Sequence, residues 1–192
     1  MLFKYDKILK IKTTILDIQP EIWREILIEN NITFNHLHKI IQISFGWTNS
    51  HLHNFEVDGK TFSVSYNEYE NEDLDTENKI AKFLYRKGQK AIYTYDFGDN
   101  WEHEIEVVEI LEEEENLKYP LCLAGERNAP PEDCGSVPGY ENVMRALNDK
   151  GGKEDLDLLE WLGDYDPEEF DINEVNEAIL NPDEYIFDLG DL

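Results

Sequence analysis

Apolar and polar positions alternate from Phe3 to Leu16, with Phe3, Tyr5, Leu9, Ile11, Thr13 and Ile15 on one side and Lys10 and Lys12 on the other. That period of two is the signature of a strand with one buried face. Beyond Pro20, the short β-branched run Ile22–Ile28 predicts a second strand. The period then changes. Phe34, Leu37, Ile40, Ile41 and Phe45 recur at helical spacing, Thr33 stands where an N-cap belongs, and Gly46 is placed to stop the helix. His51–Val57 and Thr61–Ser65 alternate on either side of Asp58-Gly59, a pair suited to the positive φ angles of a primed hairpin turn. The polar, acidic stretch Tyr66–Asn78 reads as an exposed loop. Gln89–Tyr95 and Glu102–Ile110 then form the arms of a second hairpin around Asp96-Phe97-Gly98-Asp99-Asn100-Trp101.

From Tyr119 to Gly139 the chain carries four prolines, which predicts a long irregular loop. Helical spacing returns afterwards. Tyr140, Val143, Met144 and Leu147 mark one short helix, Leu156, Leu159 and Leu162 with Trp161 a second, and Val175, Ile179 and Leu180 a third. Strands followed by helices predict an α+β fold with a largely antiparallel sheet, built from an N-terminal strand pair and two hairpins, with one helix between strands and a helical C-terminal segment. The expected organisation is one domain over 1–192: mostly strands over 1–118, the loop over 119–139, and an acidic helical part over 140–192.

Composition sharpens this picture. Hydrophobic residues make up 41% of the 192 positions and aromatics 12%, enough to close a core. Against 17 Lys and Arg stand 43 Asp and Glu, a net charge of −26. The first hundred residues hold 12 basic and 15 acidic groups, the remainder 5 and 28. So negative a C-terminal half repels phosphate backbones and disfavours direct nucleic-acid binding. Its acidic stretches read as solvated surface or as a docking face for a basic protein partner. No apolar stretch is long enough for a membrane span and the N-terminus has no signal-like h-region, so a soluble, cytoplasmic protein is expected. Cys122 and Cys134 are spaced as neither a redox pair nor half a zinc ribbon, and are expected as reduced thiols.

The common nucleotide-cofactor and hydrolase signatures do not occur. Asp96-Phe97-Gly98 lacks the other kinase elements, and Asp73-x-Asp75-x-Glu77 lacks the glycine and distal glutamate of a calcium loop. Histidines offer one constellation. On a strand, His51 and His53 share a face, His103 follows the Asp96–Asp99 turn, and Cys122 or Cys134 could close a tetrahedral zinc-type site. His36 and His38, on a helix, point about 200° apart and do not chelate together. The bland alternative is that these histidines, with Asp96 and Asp99, satisfy backbone and side-chain hydrogen bonds. Arg127 similarly reads either as a local ion pair or as an anion-reading group in a proline-stiffened rim.

Five segments taken together resemble the plasmid pRiA4b ORF-3-like family: Ile22-Trp23-Arg24, Ile41–Trp47, His51–Phe55, Tyr95–His103 and Gly125–Gly135. The resemblance implies an α+β domain of the kind associated with mobile elements, with no assigned molecular function. Members often carry a Cys before the Pro-Pro pair, where this chain has Ala129, which lowers the odds that Cys134 is a ligand. A serine-recombinase role does not fit, because the charge is wrong for DNA.

Two functional readings follow. The first is a non-enzymatic binding or interaction module, without a cofactor, whose surface comprises Trp47, His51, His53, Asp96, Asp99, Trp101, His103, Arg127, Glu132 and Asp133. The second is a metal-dependent hydrolase or other metalloenzyme using His51, His53 and His103 with Asp96 or Asp99.

Overall fold

A computed structural model describes residues 7–63, 74–148 and 152–186. The expected strand residues 3–6 and 64–65, and 66–73 of the expected loop, lie outside the described residues. In chain order come β1 (Ile8–Ile15), β2 (Trp23–Glu29), α1 (Phe34–Phe45), β3 (His53–Val57), β4 (Lys60–Ser63), β5 (Leu74–Asp75), a 3-10 turn at Ile80–Lys82, β6 (Lys90–Tyr95) and β7 (Trp101–Leu111). There follow β8 (Leu121–Glu126), α2 (Ser136–Asn148), α3 (Lys153–Leu162), α4 (Ile172–Ile179) and a last 3-10 turn at Pro182–Glu184. The strands form one eight-stranded sheet in the order β5-β4-β3-β6-β7-β1-β2-β8. It is antiparallel except where β5 lies parallel to β4. The protein is therefore an α+β fold with a largely antiparallel sheet.

Local chemistry accounts for the early elements. Thr33 Oγ1 accepts the His36 N–H at 3.1 Å and caps α1, while Gly46 ends it at φ 72°. Asp58 and Gly59, at φ 48° and 73°, make the primed turn of the first hairpin.

The sheet has two unlike faces. Along β7, Trp101, His103, Ile105 and Val107 are buried, while Glu102, Glu104 and Glu106 turn outward. The outward face is laced by ion pairs such as Lys10–Glu25 and Lys90–Glu104. The inner face packs against α1: the Phe34 ring lies 5.1 Å from Phe55 and 4.2 Å from Phe62. Register sets the rows beneath the helix, with Tyr93 between Phe55 and His103, and Tyr95 between His53 and Trp101.

Two sequence expectations fail. Tyr66–Asn78 is not all loop, since Leu74 pairs with Phe62 to start β5. Tyr119–Gly139 is not irregular throughout. Leu121–Glu126 lies between Pro120 and Pro130 and pairs with β2 as β8, at the sheet edge, where flanking prolines interrupt no ladder. Pro138 and Gly139 lie in the first turn of α2, where a missing N–H costs nothing.

Candidate functional site

Half of the residues proposed for a binding surface are buried: Trp47, His53, Asp96, Trp101 and His103. Trp47 is 4% and Trp101 2% exposed, and each belongs to the main hydrophobic cluster. Trp47 stacks on Tyr95 at 5.1 Å and donates from Nε1 to the Pro130 carbonyl at 2.9 Å. His103 is fully buried, with Nδ1 3.0 Å from the Trp101 carbonyl and its ring against Phe45, Trp47 and Tyr93. Its Nε2 has no hydrogen-bond partner among the described residues. Burial drives its pKa down to about 3, so the ring is neutral. His53 stacks face to face on His38 at 3.5 Å. His38 sits in a closed hydrogen-bond ring. Gln42 Nε2 donates to the Tyr93 hydroxyl (2.9 Å), Tyr93 lies 2.8 Å from His38 Nδ1, His38 Nε2 lies 2.8 Å from Asn49 Oδ1, and the Asn49 N–H donates to Gln42 Oε1 (2.9 Å). Buried amides and imidazoles are thus used up in fixing the α1–β3 connection.

The cysteines do not join the histidines. Cys122 lies on β8, with its backbone bonded to the Asn176 side chain and its thiol pushed up to about 11 by burial. Burial, reinforced by Asp99 and Asp133, pushes the Cys134 thiol up to about 12, so neither offers a ready thiolate. Arg127 pairs with Glu168 at 2.7 Å, outside its own loop.

His51 behaves differently. Asn49 at φ 58° bends the chain before β3 starts, so His51 is not on the strand and does not share the His53 side. It faces the β6–β7 turn, where the Asp96 N–H donates to the Leu52 carbonyl at 2.9 Å and Asp96 Oδ1 accepts the Gly98 N–H at 2.8 Å. Asp96 itself stands at φ 56°. The third wall is the segment after Pro130-Pro131. Its Glu132 accepts the Tyr95 hydroxyl (2.5 Å), the Thr48 hydroxyl (2.5 Å) and the Thr48 N–H (3.1 Å), and the Gly135 N–H donates to Asp99 Oδ2 at 3.0 Å. These bonds lay the proline segment across both other loops. Burial, with the bond to Glu132, raises the Tyr95 phenol above its ordinary range, so it stays a donor.

The outcome is a convergence of one imidazole and two carboxylates. His51 Nδ1 lies 3.8 Å from Asp96 Oδ1, and Nε2 lies 3.1 Å from Asp133 Oδ1. Donor atoms of His51, Asp96 and Asp133 all fall within 4.8 Å of one another. The Nε2 contact lacks hydrogen-bond alignment, leaving that nitrogen buried and unbonded. Among the described residues, no Lys or Arg forms an ion pair with Asp96, Asp99, Glu132 or Asp133. The imidazole half-buries between carboxylates, with the exposed apolar groups Leu52 and Phe97 beside it. Sequence reasoning missed Tyr95, Thr48 and the ring of Gln42, His38 and Asn49, which hold the site in place. Tyr95 was the most accessible of these, since its alternation along β6 turns it inward beside Asp96.

The family model described as plasmid pRiA4b ORF-3-like protein matches residues 7–174. An uncharacterized protein of Sinorhizobium fredii, y4hQ, is 30% identical over 176 residues, covering 90% of each chain. The crystal structure of a protein of unknown function from Methanosarcina mazei Go1, MM3350, is similar with a TM-score of 0.79 and 37% identity, over 90% of this chain and 98% of that one.

Proposed function

This chain belongs to the plasmid pRiA4b ORF-3-like family, and from that premise we propose that it is a binding module whose working site is the His51–Asp96–Asp133 cluster, with a divalent metal ion as its ligand. The observation that carries this reading is the convergence of three donors from three separate segments within 4.8 Å. A tetrahedral ion with bonds of about 2 Å holds its donors about 3.3 Å apart; His51 Nε2 and Asp133 Oδ1 already stand at 3.1 Å, and the set of three, within 4.8 Å, draws together to bind. One nitrogen and two carboxylate oxygens suit a borderline ion such as zinc or manganese. Three protein ligands leave a position for water or for an oxygen of a bound partner. Four carboxylates, Asp96, Asp99, Glu132 and Asp133, none paired with a Lys or Arg among the described residues, supply the attracting field. The three-histidine set with Cys122 and Cys134 does not carry this proposal, because His53 and His103 are committed to the core.

The test is calorimetric titration of the untagged, chelator-treated protein with zinc and manganese chlorides, paired with thermal melts. Saturable binding near one ion per chain, with a melting temperature that rises with ion concentration, is the expected result. Asp133 is exposed, so Asp133→Asn leaves the fold intact and abolishes the rise. If no ion binds, the cluster is no metal site and the reading fails.

A further inference from the structure

A cleft of about 670 Å³ opens between the C-terminal end of α1 and the α3–α4 connection, α4 and the last 3-10 turn. Arg24 lies on its floor, 2% exposed, which at first suggests an anion receptor. The guanidinium is already committed. It donates to the carbonyls of Ser44 (2.7 Å), Trp23 (2.8 Å), Glu126 (2.9 Å) and Arg127 (2.7 Å). It also packs on the rings of Phe45 at 4.8 Å and Phe170 at 4.0 Å. Arg24 is therefore a clamp that ties β2, α1 and the end of β8 together, with its donors committed away from any ligand in the cleft.

The rim of the cleft is acidic. Glu174 and Glu177 stand one turn apart on α4, Glu169 stands on the preceding connection, and all three are exposed. None of the three is in an ion pair among the described residues. The rest of the lining is mixed, with the apolar Ile43, Val175 and Ala178 beside the polar Ser44, Thr48 and Asn128. The volume falls in the range of about 300–1,000 Å³ typical of ligand sites. Three carboxylates along one rim call for more than one cationic group, spaced by a chain. Lysine and arginine satisfy such a lining, since their alkyl stems cover apolar surface while the heads reach the rim.

We propose that this cleft is a docking site for a basic peptide segment of a protein partner, with lysine or arginine heads on Glu169, Glu174 and Glu177 and an apolar side chain on the floor. A second copy of this chain is a poor occupant, because each copy carries a net charge of −26.

The experiment is fluorescence anisotropy of the full chain with a short fluorescein-labelled peptide of lysine and leucine, beside an acidic analogue in which glutamate replaces lysine. The wild type binds the basic peptide saturably and ignores the acidic one. Glu174→Lys with Glu177→Lys weakens binding by about tenfold or more, and the milder Glu174→Gln with Glu177→Gln weakens it in the same direction. The matched reversal Glu114→Lys with Glu115→Lys, away from the cleft, changes binding by less than about twofold. Equal losses from both reversals would show bulk charge attraction and overturn the proposal. So would a loss produced by Asp133→Asn instead, or the failure of the basic peptide to saturate at low salt.

Discussion

Two buried imidazoles make this protein acid-sensitive at the level of single residues. His103 is held down to about 3 by burial, and His38 is held well below its ordinary value by burial and by the neighbouring His53 ring. In the unfolded chain both titrate near 6.5. A group depressed on folding stabilises the native state fully above its unfolded pKa. That stability drains as pH falls, because only the unfolded state takes up the proton. For His103 the window runs from about 6.5 down to about 3, at about 1.4 kcal/mol per pH unit. Urea titrations at pH 7.5 and 5 should show this loss, and a flat profile would contradict it. Gly125 supplies a second prediction. A Cβ there would sit 2.7 Å from Arg24 Cδ and 2.8 Å from the Phe170 ring, so Gly125→Ala should cost about 1–3 kcal/mol in urea melts. The reason is close packing of the Arg24 clamp, not backbone freedom.

At the scale of elements, the edges and caps are what hold. The outer edge of β8 is blunted by α4, whose Asn176 accepts the Cys122 N–H at 2.7 Å and donates to the Cys122 carbonyl at 3.0 Å, imitating a ladder partner. Asn176→Ala should cost about 1–3 kcal/mol and speed amide exchange at Cys122, measured by hydrogen exchange. Loss of the cap in Thr33→Ala should cost about 1 kcal/mol, read from the shift in urea midpoint. These elements also show what a sequence pattern can and cannot carry. The helix with Thr33 and Gly46 at its ends and the Asp58-Gly59 hairpin were legible, because cap and turn chemistry act within a few residues. β8 was not. Its pairing with β2 joins segments about a hundred positions apart, and its own residues include Gly125 and alternate weakly.

For the molecule as a whole, a net charge of −26 opposes the compact state through self-repulsion. Raising ionic strength should therefore raise the melting temperature, and a divalent ion should raise it further than a monovalent salt of equal ionic strength if the His51 cluster holds it. Scanning melts in sodium chloride against manganese chloride separate the two effects. No described helix is long and apolar enough to cross a membrane.

The chain's pattern settled the α+β class, the two hairpins and the first helix, because hydrophobic period and turn residues are local properties. Tertiary structure decided which side chains those segments present. His51 and His53 part company because Asn49 bends the backbone ahead of β3, so the rule that neighbours two apart share a face does not apply to them. Trp47 and Trp101 turn into the core because the register of β6 and β7 and the Pro130 carbonyl give them partners there. Asp133 reaches His51 because Glu132 is tied to Tyr95 and Thr48. Burial and long-range pairing are properties of the assembled chain, and they single out the His51 cluster as the candidate site among groups that spacing alone leaves equal.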